Sequence, residues 1–342
     1  MNVLLTCAGR RNYLVQYFRE ALAGSGRVLA ADAAATAPAL AEADRSFTVP
    51  PVTATDYVDT LLAICREQEV GLLVSLNDLE LPRLARERDR FRPVGTAVAV
   101  SSPEVVETCF DKWATARFLE GIGLAGPRTF ISLDEASAAV ARGELAFPLV
   151  LKPRWGSASI GVEQIDDSAE LACAYGLLRQ RLQRSILANV SRADLDRSIL
   201  IQERLTGMEY GMDVVNDLDG NHVATFVRKK LGMRAGETDR AVSCRDTRLE
   251  EVGRIIGTRL RHVANLDCDV FVDQDRVRVL ELNPRFGGGY PFSHAAGADL
   301  PAALIAWAKG IAPRKEWLRI RPGVTAAKCD RLVIMNAGET AP

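Results

Sequence analysis

Asp267-Cys268-Asp269-Val270-Phe271-Val272-Asp273-Gln274-Asp275-Arg276-Val277-Arg278-Val279-Leu280-Glu281-Leu282-Asn283-Pro284-Arg285-Phe286-Gly287-Gly288-Gly289-Tyr290 is the stretch on which the reading of this chain turns. Two apolar runs, Val270–Val272 and Val277–Leu282, flank a polar break at Asp273–Arg276, which predicts a β-hairpin. With no glycine in the break, the turn type stays open. Alternation along the second strand places Val277, Val279 and Glu281 on one face, and Asn283 on the same side as Glu281. Asp269 sits across the hairpin, twelve residues before Glu281. Two carboxylates and an amide oxygen at a strand end form a hard-oxygen set, which Mg²⁺ accepts when substrate phosphates complete its shell. Arg285 follows, a fork suited to phosphate oxygens, and Gly287–Gly289 lets backbone approach a ligand closely. The same residues would also make an ordinary hairpin with a glycine-rich loop and a surface arginine, so the decision rests on the rest of the chain.

Upstream, Phe147–Arg154 predicts a strand that holds Lys152 in an apolar setting. A lysine there calls for an anion to meet it. The strand runs into a small-residue loop, Gly156-Ser157-Ala158-Ser159-Ile160-Gly161, whose N–H groups can fold over phosphates. It is not a Walker A loop, because no Gly-Lys-Ser/Thr follows and no helix begins there. Ala169–Leu187 reads as a long helix and Ile199–Gln202 as a strand. Glu209 and Asp213, four apart in the next strand, share a face. Gly220-Asn221 marks a hairpin turn, with Val223–Lys230 returning. Arg228, Lys229, Lys230, Arg234 and Arg240 cluster around Gly232–Thr238, either as a solvated face or as anion contacts. Leu249–Ala264 predicts an amphipathic helix, Ala302–Lys309 a second helix, and Leu332–Met335 an extended piece.

The first hundred residues alternate strand and helix: Val3–Cys7, Tyr13–Ala23, Arg27–Ala31, Tyr57–Gln68 and Gly71–Ser75. That order predicts an open parallel sheet with helices on its faces. Leu76–Pro82 then lies at a strand's carboxyl end, where such sheets bind ligands. Only Gly9 stands in the first turn, so the G-x-G-x-x-G dinucleotide fingerprint is missing. Arg10 and Arg11 at a helix start oppose the helix dipole, and meet either an anion or solvent. Val98–Ser101 reads as a strand, Ser102-Pro103-Glu104 opens a helix, and a domain boundary falls near residue 100.

Composition sets the outer limits. With 342 residues the chain has room for two or three lobes. Its 48% hydrophobic and 25% charged residues are those of a globular protein, and a formal charge of −1 argues against nucleic-acid or anionic-membrane partners. Seven scattered cysteines without a C-x-x-C pair, and three histidines, argue against a zinc site or a disulfide framework. With no leader-like start and no apolar run approaching eighteen residues, a reducing cytoplasmic location is expected.

The ordered set Asp111-Lys112, Leu151-Lys152-Pro153 with its loop, Gln202-Glu203…Glu209, and Asp269…Glu281-Leu282-Asn283-Pro284-Arg285 resembles the ATP-grasp superfamily. It is most similar to the branch of the carbamoyl-phosphate synthase large subunit and biotin carboxylase. The resemblance implies an α/β fold: a Rossmann-like pre-ATP-grasp domain (residues 1–100), then an ATP-grasp domain of two α+β lobes (101–312) with a mobile lid at about 115–200, and a C-terminal extension (313–342). It implies that Lys112, Lys152 and the loop Gly156, Ser157, Ser159 and Gly161 bind ATP phosphates. Glu203, Arg204 and Leu205 would contact adenine, and Glu209 the ribose. Asp269, Glu281 and Asn283 would hold two Mg²⁺ ions, with Mn²⁺ as a substitute, while Arg285, Lys152 and Arg234 would serve the transferred phosphate. The implied activity is an ATP-dependent carboxylate–amine ligase working through an acylphosphate on small molecules such as amino acids. A bicarbonate-activating or carbamoyl-forming enzyme, and an inactive nucleotide-binding regulator, are the alternatives. A single grasp unit has no space for the synthase's second half. A homodimer through the first domain is the family expectation. Substrate choice would fall to Arg10–Tyr13, Asn77–Glu80, Met233–Arg240 and Gly287–His294.

Overall fold

The computed structural model describes residues 1–156 and 160–335. Strands β1 (Asn2–Thr6), β2 (Val28–Asp32), β3 (Arg45–Thr48), β4 (Val70–Ser75) and β5 (Ala97–Val98) form a parallel sheet in the order β3-β2-β1-β4-β5. Its strands are apolar on both sides because both faces are covered. Val3 and Leu5 enter one core with Leu14 and Phe18 of the helix Asn12–Leu22. Leu4, Leu29 and Leu73 enter the opposite core with Leu61 of the helix Tyr57–Glu67. The expected strand at Val98–Ser101 is two residues long and begins at Ala97.

A second, antiparallel sheet is built from β6 (Thr129–Phe130), β7 (Leu149–Pro153), β8 (Glu163–Ile165) and β9 (Ile199–Glu203), in the order β6-β9-β7-β8. The helices Leu133–Ala141 and Ser168–Leu182 cover it, and together they enclose a separate core. The second helix stops short of the expected Leu187: Arg184 and Ser185 fold into tight turns, with the Ser185 hydroxyl donating to the Leu182 carbonyl.

The third sheet holds β10 (Met208–Asn216), β11 (His222–Arg234), β12 (Glu237–Cys244), β13 (Ala264–Asp273), β14 (Arg276–Asn283) and β15 (Thr325–Ala327), in the order β14-β13-β10-β11-β12-β15. The stretch Met233–Arg240 is therefore no open loop: it is the tip of the β11–β12 hairpin, turned by Ala235 and Gly236, both at positive φ. The predicted β13–β14 hairpin is present, with Gln274 at φ 53° in its turn. Simple alternation along β14 fails. Asp269 pairs with Glu281 but Val270 pairs with Val279, so Leu280 is an inserted residue. Val279 and Leu282 consequently enter the core, and Glu281 faces away from Val279 rather than lying beside it. Within the stretch Gly287–His294, residues from Tyr290 onward belong to a short helix, Tyr290–Ala295. The helix Leu300–Ala308 packs on Asn12–Leu22 in the core of the first sheet, so the late part of the chain closes back on the early part. Leu332–Met335 carries no regular structure.

Candidate functional site

Two cavities meet at β14. The first, of about 330 Å³, lies between the second and third sheets: Val150 and Lys152 of β7 and Gln202 of β9 on one side, Phe271, Leu280 and Glu281 on the other. Lys152 is buried at 5% exposure. Burial, reinforced by the charge of Lys112 and opposed by Glu281, lowers its pKa to about 8. Lys112 begins the helix Lys112–Gly121, whose N-terminus is capped by Asp111. Asp111 also takes a two-pronged ion pair from Arg154 (2.8 and 2.6 Å), which pins this helix start to the end of β7. The Lys112 ammonium donates to the Gly156 carbonyl and stands 3.7 Å from Glu281. At the far end β9 gives way to Arg204 and Leu205. Among the described residues their N–H groups donate to no other backbone carbonyl, which leaves donors for a ligand edge.

The second cavity, of about 310 Å³, shares Leu280 and Glu281 with the first and is lined mainly by charged and polar groups. All four stretches expected to surround a substrate contribute to its wall: Arg11; Asn77 and Asp78; Met233, Gly236, Glu237 and Thr238; Gly288 and Gly289. Asp269, Glu281 and Asn283 face it together, with Asp267 added. Asp267 lies opposite Asn283 in the ladder, as Asp269 lies opposite Glu281. The same alternation that flagged Asp269 could have flagged Asp267 two residues earlier. Lys230 bonds Glu209 and Asp269, each at 2.7 Å. Burial raises the Asp269 pKa, and Lys230 opposes the rise. Beneath lies a buried lattice: Arg228 pairs with Asp213 at 2.6 Å and Asp267 at 2.7 Å, and Ser293 bonds Asp213.

The Arg285 side chain is 8% exposed and pairs with Asp78 at 2.7 Å, joining the third sheet to the first. Burial opposes its charge, yet Asp78 carries its pKa upward. Arg234 lies elsewhere. It is exposed, bonds Asp239 and Asp330, and lines neither cavity, because β11 has carried it to the hairpin tip. Arg228 and Lys230 are already paired to carboxylates of the chain and are not a free anion-binding face. Glu209 lines the charged cavity, not the first one where a ribose contact was expected, because Lys230 draws it there. The Glu203 carboxylate is taken by Arg278 and the Arg128 N–H, although the residue lines the first cavity. Gly156 lines that cavity too, and Gly161 sits at positive φ, whereas Ser157 and Ser159 fall outside the described residues. The three glycines after Arg285 have a structural reason beyond access. A Cβ on Gly287 would stand 2.0 Å from the Asp267 carboxylate, and one on Gly289 2.0 Å from the Arg228 guanidinium.

Among the described residues no three His, Cys, Asp or Glu side chains are gathered tightly enough to hold a metal alone. The chemistry of the donors nevertheless suits Mg²⁺: Glu281 and Asn283 open on the cavity, and the Lys230 ammonium between Glu209 and Asp269 shows that this corner takes a cation. All seven cysteines are free, and among the described residues no helix is long and apolar enough to cross a membrane.

Comparison with known proteins bears on the family and the fold. Residues 3–99 match the family described as PylC-like, N-terminal domain, and residues 196–331 the family described as ATP-grasp in the biosynthetic pathway with Ter operon. The carbamoyl phosphate synthase large chain of Pseudothermotoga lettingae is 25% identical over 289 residues, covering 78% of this chain and 24% of that one. The matches span 14% to 33% of the lengths of the first curated relatives, so the chain aligns with only part of each. Among solved structures, biotin carboxylase from Campylobacter jejuni, as its β,γ-ATP complex, superposes with TM-score 0.72 at 17% identity over 93% of this chain and 73% of that one. The L-amino acid ligase from Bacillus licheniformis gives TM-score 0.71 at 20% identity over 94% and 78%.

Proposed function

We propose, from the premise that this chain is an ATP-grasp protein with a PylC-like N-terminal domain, that it is an ATP-dependent ligase joining a carboxylate to an amine. The observation that carries the reading is the meeting of two unlike cavities at Glu281: one part apolar with two lysines, the other charged. A nucleotide fits the first, with its base toward Arg204 and Leu205 and its phosphates toward Lys112, Lys152 and Glu281. The acceptor side is the second. Its volume of about 310 Å³ and several charged walls suit an organic acid better than bicarbonate.

In the reaction a carboxylate oxygen attacks the γ-phosphorus of ATP, the bond to ADP breaks, and an acylphosphate forms. An amine nitrogen then attacks the acyl carbon, phosphate leaves with the C–O bond electrons, and the nitrogen loses a proton. No protein nucleophile is needed; alignment and charge neutralisation are. Lys112 and Lys152 would hold the phosphate oxygens, and Arg285, fixed by Asp78, would present a rigid cation at the junction. Asp269, Glu281 and Asn283 would hold Mg²⁺, which when bound would neutralise phosphate charge. The second sheet would act as a lid over the acylphosphate, which hydrolyses in water.

The test is phosphate release from Mg-ATP across a panel of amino acids and other carboxylates, with the amide product identified by mass. Release that requires an amine co-substrate supports the ligase. Nucleotide uptake without release for any pair would leave a binding protein instead.

A further inference from the structure

Three cations from different parts of the chain reach the charged cavity. Lys230 is neutralised by Glu209 and Asp269, and Arg285 by Asp78. Arg11 is not. Its guanidinium donates to the Leu76 carbonyl, and among the described residues no carboxylate lies within ion-pair distance of it. It also stands as N-cap of the helix Asn12–Leu22, with no acidic residue in the first turn, where a positive charge is disfavoured. A half-buried guanidinium lining a cavity, unpaired and at the unfavourable helix end, is a receptor for an anion that comes from outside the chain.

Glu237 faces the same cavity from the β11–β12 turn. Its Oε2 accepts from the Lys328 ammonium at 2.9 Å, while Oε1 has no hydrogen-bond partner among the described residues. Burial pushes its pKa up, but Lys328 and the charges of Arg11 and Arg285 bring it below the ordinary value, so it is a carboxylate near neutrality. Arg11 and Glu237 thus act on each other through space and yet do not touch. A ligand carrying opposite charges at its two ends suits such a pair, and the Lys328 contact shows that the Glu237 carboxylate pairs with an ammonium through Oε2 while Oε1 stays available.

We propose that one substrate of this enzyme is an amino acid bound as a zwitterion, its carboxylate on Arg11 of the first domain and its ammonium on Glu237 of the third sheet. The proposal rests on the ligase reading for the fate of the amino acid, but not for its binding. Arg11 and Glu237 are specificity residues in this scheme. They choose the substrate and leave the phosphates to other groups.

The experiment compares each amino acid with its decarboxylated amine and its 2-hydroxy acid. Thermal shift with a non-hydrolysable ATP analogue reads binding, and phosphate release from Mg-ATP reads turnover. In the wild-type chain the best amino acid should exceed both analogues by about 30-fold in apparent affinity or kcat/KM, the worth of one charged hydrogen-bonded contact. In Arg11→Gln the advantage over the amine should shrink to a few-fold with nucleotide affinity unchanged, and Arg11→Lys should restore part of it. In Glu237→Gln the advantage over the hydroxy acid should shrink instead. Analogues as good as the amino acid in the wild-type chain, or an advantage that survives Arg11→Gln, overturn the proposal. The wild-type comparison needs no variant, so a misfolded Arg11→Gln does not remove the test. Absence of phosphate release with every compound would sink the ligase reading, whereas the thermal shift by an amino acid would still decide this one.

Discussion

Lys152 shows how burial turns a phosphate contact into a pH-dependent one. Its ammonium is disfavoured by desolvation, with a pKa near 8 against an ordinary 10.5. Between those values the unfolded chain holds a proton that the folded chain does not, so this group's contribution to stability rises with pH across that window. A triphosphate beside it reverses the preference and restores the charge. Calorimetry at pH 8.5 in buffers of different ionisation enthalpy should therefore show proton uptake on ATP binding, and affinity should fall as pH rises above 8, by at most tenfold per unit. Lys152→Met should abolish the uptake. Glu281 is the complementary case. Partly open to the cleft and, among the described residues, held only by Lys112 at 3.7 Å, it contributes little to packing. Glu281→Gln should leave the melting profile unchanged and lower turnover by about 100-fold or more, measured as phosphate release. Turnover that survives the change removes Glu281 from the metal set.

At the scale of elements, the inserted Leu280 and the loop after β14 set the site. Without the insertion, alternation would place Glu281 on the same side as Val279, in the core. The insertion lets the same strand bury Val279 and Leu282 and still present Glu281 and Asn283 to the charged cavity. The loop then crosses the Arg228–Asp213–Asp267 lattice so closely that side chains are excluded. Gly289→Ala, with a Cβ 2.0 Å from Arg228, should cost about 1–3 kcal/mol in urea unfolding, and Gly287→Ala a similar amount, because their neighbours are fixed by ion pairs. Gly288→Ala should cost less, since its close neighbour is the end of the more flexible Glu237 side chain at 2.9 Å.

Across the whole molecule, the first sheet and the third are one mechanical body. Leu300 and Leu304 complete the core begun by Leu14 and Phe18, and the Arg285–Asp78 pair joins residues 207 positions apart. Amide exchange should accordingly report one opening free energy for Asn12–Leu22 and Leu300–Ala308, whereas the second sheet, with its own core, should open separately. Asp78→Ala should destabilise the first and third sheets together by about 3 kcal/mol, the low end for a broken buried pair, because Arg285 then keeps Asp267 at 4.0 Å in place of Asp78 at 2.7 Å. A denaturation profile that lost only one of the two sheets would contradict that coupling. The joint body also explains how Arg11, from the first domain, comes to share a cavity with Glu237.

The sequence by itself determined the parallel first sheet, the β13–β14 hairpin, the buried Lys152 and the side shared by Glu281 and Asn283. Each follows from local periodicity, and the family resemblance arranged them in order along the chain. Only the tertiary structure decided which charges remain available. Arg228 and Lys230 looked like anion contacts until β10 and β13 brought Asp213, Asp267 and Asp269 against them. Arg11 looked no different from Arg10, until the fold placed one in a cavity wall and the other in solvent beside Asp330. Periodicity records which face a residue occupies, but ion pairing depends on partners tens to hundreds of residues away, and short spacing rules carry no information about those distances.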